Sequence, residues 1–225
     1  MSAKTEIINY LKSLSNEQNK EGQARFGINT EKSFGINIPV LRNLAKQYKK
    51  QHELALQLWS TGYHEARILA VFIDDYRQVT EQQMEAWAAD FNSWDLCDQC
   101  CGNLFDKTPF TYDKATAWAA REEEFVRRAG FTLMATLAVH DKKAPDEKFF
   151  HFFSLIEQFA FDERNFVKKA VNWALRQMGK RSLVLHKKAT ATAEKLLLQK
   201  HKSARWIATD ALRELDSEKV LAKFN

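Results

Sequence analysis

The stretch Ser93-Trp-Asp-Leu-Cys-Asp-Gln-Cys-Cys101 places one tryptophan, two acids and three thiols within a few residues, and it contains every cysteine of the chain. Carboxylates act as general bases and electrostatic stabilisers, while thiols act as metal ligands or redox groups. On a helix, Trp94 and Asp98 lie about one turn apart, so both can face the same ligand. Three interpretations of the stretch are open: a metal or redox site, a part of the hydrophobic core, or a site where Trp94 and Asp98 act together.

The spacing of the three thiols favours the core. Cys97, Cys100 and Cys101 follow the i, i+3, i+4 pattern and share one helical face with Leu104. A buried free cysteine packs as a small apolar side chain. A structural zinc needs a second Cys or His pair at ligand spacing, and no two histidines of the chain form one. We therefore expect no metal and no cofactor.

Trp94 and Asp98 fall at the edge of this apolar stripe, about 40° apart on the helix. Two interpretations remain open. The pair faces a solvent groove together, or the indole closes the core while the acid pairs with a nearby lysine or arginine.

A basic segment later in the chain suggests a polyanion partner. The formal net charge is +5 and the isoelectric point is about 9.0. Between Arg164 and Arg181 there are six basic residues and no acid. Trp173 lies inside this segment, at the rim of an apolar stripe and close to Lys169 and Arg176. An aromatic among cations is typical of a surface that follows a phosphate backbone, although a rim tryptophan with surrounding lysines is also ordinary packing.

Hydrophobic periodicity near 3.6 runs through almost every segment, which predicts an all-helical protein. With 225 residues, 45% of them hydrophobic, we expect one extended domain over residues 1–225. We predict helix starts at Pro39, at Thr80 through a capping box, and at Asp162. No apolar run is long enough for a signal peptide or a membrane span, so we expect a bacterial-type cytosolic protein.

Four predicted helices share a pattern of basic or mixed residues, an alanine and then a bulky apolar stripe. They are Glu65–Ala70, Phe125–Ala129, Phe166–Ala170 and Ser203–Ala208. The spacing of the last three alanines is roughly 40 residues, as in HEAT and armadillo repeats. We predict a short, curved α-solenoid of HEAT-like repeats with a basic concave face. An irregular helical bundle is the alternative.

These residues carry a resemblance to the AlkD-like DNA alkylation-repair family of HEAT-repeat glycosylases, over most of the chain. The family has a Trp four residues before an Asp, here Trp94 and Asp98, and an Arg that opens a repeat helix, here Arg128. A second Trp follows, here Trp173. The chain departs from the family at Ser93, where many members have another Trp, and at Phe26, where they often have an aromatic hydroxyl.

The resemblance implies a monofunctional glycosylase that releases cationic N3- or N7-alkylated purines from duplex DNA, in an open cleft and as a monomer. Asp98, Trp94 and Trp173 would be catalytic, because a carboxylate and indole faces stabilise positive charge on the sugar. The resemblance and the basic helix starts together assign phosphate binding to Arg127, Arg128, Lys168, Lys169, Arg176 and Arg205. The other tryptophans, Trp206 included, are expected to be core or inter-repeat packing.

Two other classes of function use the same fold. A DNA-structure binder without chemistry would use the same basic surface and would make Asp98 dispensable. A protein-protein scaffold would favour an apolar or acidic concave face, in contrast with the basic helix starts of this chain. Fold alone does not decide between them.

Overall fold

The computed structural model describes residues 2–224 of the chain. Within this range the chain forms fourteen α-helices, two short 3-10 helices and no strand. The prediction of an all-helical protein is therefore confirmed. The chain divides into two compact units, with the boundary between Thr108 and Pro109. The expectation of one domain over residues 1–225 stays a prediction.

The first unit holds, among its described residues, α1 (Ala3–Ser13), α2 (Glu17–Arg25), α3 (Ile38–Ala45), α4 (His52–Trp59), α5 (His64–Ile73), α6 (Glu81–Ala89), α7 (Trp94–Asn103) and the 3-10 helix Phe105–Lys107. The second unit holds α8 (Thr111–Ala119), α9 (Glu124–His140), the 3-10 helix Asp146–Phe149, α10 (Phe150–Phe159), α11 (Asn165–Gly179), α12 (Leu183–Leu197), α13 (Lys202–Leu215) and α14 (Glu218–Leu221).

Two of the helix starts predicted from the sequence are confirmed. Pro39 lies in the first turn of α3, where a missing N–H leaves no helical hydrogen bond unmade. The Thr80 hydroxyl accepts a hydrogen bond from the Gln83 amide at 3.1 Å, which satisfies one of the unpaired N–H groups at the start of α6.

Helix α5 is the centre of the first unit. It packs against α1, α3, α4 and α7 and buries most of its residues. Beside it, the rings of Trp59 and Trp87 stack with centroids 3.9 Å apart, and the Trp87 ring also meets Phe105. The prediction that Trp59 and Trp87 pack inside the protein is confirmed.

The second unit is built from three successive helix pairs, α8 with α9, α10 with α11, and α12 with α13. Helices α9, α11 and α13 pack side by side in one layer, while α10 lies between α8 and α12 in the other. Stacked pairs of this kind bury their apolar faces only against the next pair. The alanines used to align the repeat, Ala70, Ala129, Ala170 and Ala208, are all fully buried.

Gly130 allows α8 and α9 to approach closely. A Cβ at this position would lie 2.3 Å from the Ala119 amide nitrogen and 2.9 Å from the Ala115 carbonyl oxygen. Both of those atoms belong to the backbone of α8, so they cannot rotate away as a side chain would. The absence of a side chain at residue 130 therefore sets the distance between the two helices.

Gly130→Ala should lower the free energy of unfolding by about 2–3 kcal/mol, because the methyl group forces the two backbones apart. Gly22→Ala is the matched control, since no atom lies within 4 Å of its new Cβ. On helix α2 that alanine should stabilise the protein by about 0.5–1 kcal/mol. Urea unfolding followed by circular dichroism measures both variants, and an unchanged stability of Gly130→Ala would contradict the close approach.

Candidate functional site

The three thiols of α7 face the core of the first unit. Cys97, Cys100 and Cys101 are fully buried, together with Leu96. Burial raises the pKa of Cys100 and of Cys101 well above the usual range of a thiol. Since thiolates, not thiols, bind metals and react with disulfides, these side chains act as packing groups. The prediction that they belong to the core is confirmed.

Asp95 is held inside the first unit, at the start of α7. One carboxylate oxygen lies 2.8 Å from the His64 Nε2 atom, and the other accepts a hydrogen bond from the Ser93 hydroxyl at 2.7 Å. Burial acts to raise the pKa of Asp95, but the hydrogen bond and charge of His64, with the Ser93 hydrogen bond, lower it below its usual value. Asp95 is therefore an ionised structural group that ties α7 to α5.

The residue after His64 organises the loop that precedes α3. The Glu65 carboxylate is fully buried and accepts hydrogen bonds from the backbone amides of Phe34, Gly35 and Ile36 at 2.7–3.1 Å. It also accepts one from the Ser33 hydroxyl at 2.8 Å. Charge-assisted hydrogen bonds of this kind are about twice as strong as neutral ones. The first turn of α5 thus fixes both this loop and α7.

Trp94 and Asp98 lie one turn apart on α7, and both are half-buried. The Trp94 indole N–H donates a hydrogen bond to the Phe26 carbonyl oxygen at 2.9 Å. Phe26 ends α2, and its ring is 74% exposed. The structure therefore brings the backbone of Phe26, a position at which the chain departs from the family pattern, next to Trp94. The indole is fixed in orientation by this hydrogen bond, while the side chain of Phe26 is exposed to solvent.

Arg127 and Arg128 connect α9 to its neighbours within the second unit. The Arg127 guanidinium binds Asp162 at 2.8 Å and lies over the Phe159 ring at 4.6 Å. Arg128 is buried and donates to the Phe166 carbonyl oxygen at 2.6 Å. These contacts do not support Arg127 as a phosphate ligand, because its charge is already matched inside the unit. Both assignments to DNA stay predictions.

The predicted helix start at Asp162 is wrong. Helix α11 begins at Asn165, and its N-cap residue is Arg164. The Asp162 carboxylate instead binds two arginines, Arg127 at 2.8 Å and Arg164 at 2.6 Å. Burial acts to raise the pKa of Asp162, but the hydrogen bonds from these arginines lower it to about 2. Asp162 is an ion-pair centre between helices, and its charge cancels part of the basic segment.

The basic segment from Arg164 to Arg181 is only partly available to an anion, which corrects the sequence interpretation. Four of its cations bind carboxylates: Arg164 with Asp162, Arg176 and Lys180 with Glu214, and Arg181 with Asp146. Arg176 also lies 3.7 Å from Asp210. The contacts of Arg176 therefore do not support its assignment to DNA. Lys168 and Lys169 are the cations of the segment for which the described residues show no carboxylate partner.

Trp173 is half-buried on α11, one turn after the exposed Lys169. Its predicted place at the rim of the apolar stripe is confirmed. On the next helix of the layer, α13, Arg205 is exposed, as a phosphate ligand must be. The prediction that Trp206 packs inside the protein is wrong, because this side chain is 39% exposed. The Lys168 ammonium lies 4.7 Å from the centre of its ring.

The family model for the DNA alkylation repair enzyme matches residues 7–215. The chain belongs to this family. The resemblance stated from the sequence is thus confirmed. No curated protein sequence is significantly similar to the chain.

A solved structure with the same fold covers 95% of this chain and 95% of its own, at 22% sequence identity and a TM-score of 0.77. It is described as "a new family of proteins related to the HEAT-like repeat DNA glycosylases with affinity for branched DNA structures". The predicted HEAT-like helical fold is thereby confirmed. Among residues 2–224, no helix has the length and apolar character needed to cross a membrane.

The Asp95 interaction predicts a pH-dependent stability. Because folding lowers the pKa of Asp95, its ionised form stabilises the fold above the unfolded-state pKa of about 3.9. This contribution is lost as the pH falls through the lower, folded-state pKa. Asp95→Asn should reduce the free energy of unfolding by about 2 kcal/mol at pH 7. Its difference from the wild type should shrink below about pH 4.

Urea unfolding at several pH values measures this difference. Asp113→Asn is the matched control, because Asp113 is an exposed acid of the second unit. A difference between wild type and Asp95→Asn that stays constant down to about pH 2 would contradict the assigned role.

Proposed function

We propose that this protein is a DNA glycosylase that hydrolyses the N-glycosidic bond of cationic N3- or N7-alkylated purines in duplex DNA. The observation that carries the proposal is that the side chains of α7 fall into two groups. Its thiols and Asp95 are used inside the unit, while Trp94 and Asp98 are half-buried one turn apart. Membership of the DNA alkylation repair enzyme family supports a substrate of this class.

Hydrolysis of this bond depends on a negative charge that stabilises the sugar cation more than on an acid that protonates the leaving base. In an N7-alkylated purine the base already carries a positive charge, so the electrons of the C1′–N bond leave with the base and neutralise it. Positive character then develops on the deoxyribose. Water adds to C1′ and loses a proton, which completes the hydrolysis. The tasks left to the protein are to stabilise the sugar cation and to orient the water.

Asp98 is proposed to perform both tasks. A carboxylate about 4 Å from a full positive charge, at an effective dielectric constant near 20, contributes at most roughly 4 kcal/mol, or about a thousandfold in rate. For a bond that the substrate's own charge has weakened, this is a sufficient acceleration. No step requires a metal, a nucleotide or a redox cofactor.

Trp94 is proposed to present its indole to the sugar, where a positive charge is attracted to the π system. The hydrogen bond from its N–H to the Phe26 carbonyl fixes the ring, so little side-chain entropy is lost on binding. Trp173, on the second unit, is assigned the same kind of contact with deoxyribose.

Phosphate binding is proposed for three cations of the second unit, Lys168, Lys169 and Arg205, for which residues 2–224 show no carboxylate partner. Lysine and arginine contacts to phosphates position a protein on DNA without reading its sequence. Arg128 donates to the Phe166 carbonyl at the start of α11, and it is assigned to a phosphate as the family resemblance implies.

Asp98→Asn should reduce base release by about a thousandfold and leave duplex affinity nearly unchanged, because the change removes charge but keeps shape. The measurement is a quenched time course of base release from a duplex that carries one 7-methylguanine, with the product quantified by chromatography. Asp113→Asn, an exposed acid of α8, serves as the control and should keep full activity. Full release by Asp98→Asn would overturn the mechanism.

A second candidate is a non-catalytic protein that binds DNA structure. Two observations favour it: the structural neighbour is described by its affinity for branched DNA, and position 26 has a phenyl ring without a hydroxyl. In that case neither the wild type nor Asp98→Asn would release a base, while salt-sensitive binding to DNA would remain.

Lys168→Ala and Lys169→Ala should each weaken duplex binding. For each variant, the loss of affinity should be similar for duplexes of different DNA sequence. Each substitution should also lower the slope of log K against log salt by about 0.9, because one fewer counterion is released. Fluorescence anisotropy at several salt concentrations measures this. Lys195→Ala is the matched control, since Lys195 is exposed but paired with Glu157. Equal slopes for all variants and the wild type would remove these lysines from the interface.

A further inference from the structure

An exposed indole stands among cations at the start of α13. Trp206 is 39% exposed, so a large apolar ring surface of its indole faces solvent. Four cations lie around it: Lys168 from α11, Lys200 from the turn before α13, and Lys202 and Arg205 from α13 itself. We call these five residues the Trp206 surface.

Trp206 lines two cavities. One of about 300 Å³ is bordered by Lys168, Lys202 and Ser203, and the other, of about 420 Å³, by Lys200, Lys202 and Arg205. Each volume is near the lower end of the range found for small-molecule sites, and each combines an aromatic wall with ammonium or guanidinium groups. The surface therefore offers an apolar plate and a set of positive charges at the same place.

The positive charge of the Trp206 surface is not matched inside the unit. Among residues 2–224, none of Lys168, Lys200, Lys202 and Arg205 forms an ion pair with a carboxylate. Glu163 is the acid that borders the first cavity, and it lies 3.4 Å from His201 Nε2. On the same layer of helices, Arg127 and Arg176 are paired with acids of a neighbouring helix or turn. The Trp206 surface thus differs from the cations that hold the helices together.

A flat π surface beside cations fits a nucleotide. Stacking on an aromatic side chain occurs with any base, and the phosphates on either side of the base bind the cations. In a duplex, however, both faces of every internal base are covered by neighbouring base pairs. A base inside a duplex therefore cannot stack on Trp206, whereas an unpaired base, or the pair at the very end of a duplex, can. The indole therefore distinguishes single-stranded DNA from the interior of a duplex, which lysines alone cannot do.

We propose that the Trp206 surface binds unpaired nucleotides of DNA, such as the single-stranded arm of a branched or frayed substrate. The proposal rests on the proposed function only in taking DNA as the ligand, and it is independent of base release. It adds Trp206 as a stacking group for an unpaired base and Lys202 as a further phosphate ligand, next to Lys168 and Arg205.

The test compares two DNA ligands of the same duplex sequence. One is a blunt duplex, and the other carries an extension of about ten unpaired thymidines, a length within the range that single-strand binding surfaces cover. Fluorescence anisotropy gives the affinity for each. The wild type should bind the extended ligand more tightly by about tenfold. Trp206→Ala should remove this preference while blunt-duplex affinity changes little, and Trp206→Phe should restore most of it.

Tyr76→Ala is the matched control. Tyr76 is 41% exposed, and its neighbouring cation Arg77 is paired with Asp75 at 2.8 Å, so this aromatic has no unmatched charge beside it in the sequence. The Tyr76→Ala variant should keep the preference. Circular dichroism and urea unfolding show whether each variant is folded.

The outcomes separate the two proposals. An equal affinity of the wild type for both ligands, or a preference that survives in Trp206→Ala, overturns the inference even if the wild type releases 7-methylguanine from a blunt duplex. A preference that Trp206→Ala loses and Trp206→Phe keeps supports the inference even if no base is released. Absence of binding to any DNA would overturn both.

Discussion

The buried carboxylate of Glu65, at the start of α5, is the interaction on which the arrangement of the first unit depends. Glu65 is surrounded by backbone N–H donors, and without it three amides of the loop before α3 would be buried without partners. The preceding residue, His64, makes the hydrogen bond to Asp95 that ties α7 to α5. Two consecutive residues therefore determine where the loop runs and where α7 begins, and Trp94 and Asp98 take their positions from that helix.

In the second unit, ion pairs between the cations of one helix and the acids of a neighbouring element hold the helices in place. Arg127 and Arg176 hold their charges against Asp162 and Glu214, respectively. These pairs are partly buried and connect neighbouring elements of the second unit. The charges that remain for a polyanion are fewer than the composition suggests, and Lys168, Lys169, Lys202 and Arg205, at the starts of α11 and α13, are among them.

Local patterns in the sequence predicted the helices, the burial of the three thiols and the shared face of Trp94 and Asp98, because each depends on residues within a few turns. The helical period places a side chain on one face of its helix, but it does not specify what a distant segment brings to that face. Glu214 lies 38 residues from Arg176, and no local pattern indicates their pairing. The exposure of Trp206 was missed for the same reason.

The contact between Trp94 and Phe26 uses the main-chain carbonyl of residue 26 and leaves its side chain pointing into solvent. Every amino acid has this carbonyl, so a substitution at position 26 keeps the acceptor for the indole N–H. One residue thus serves two purposes through different atoms: its backbone sets the orientation of Trp94, while its side chain is free to diverge. Substitutions at position 26 can therefore change the exposed surface near Trp94 without disturbing the indole.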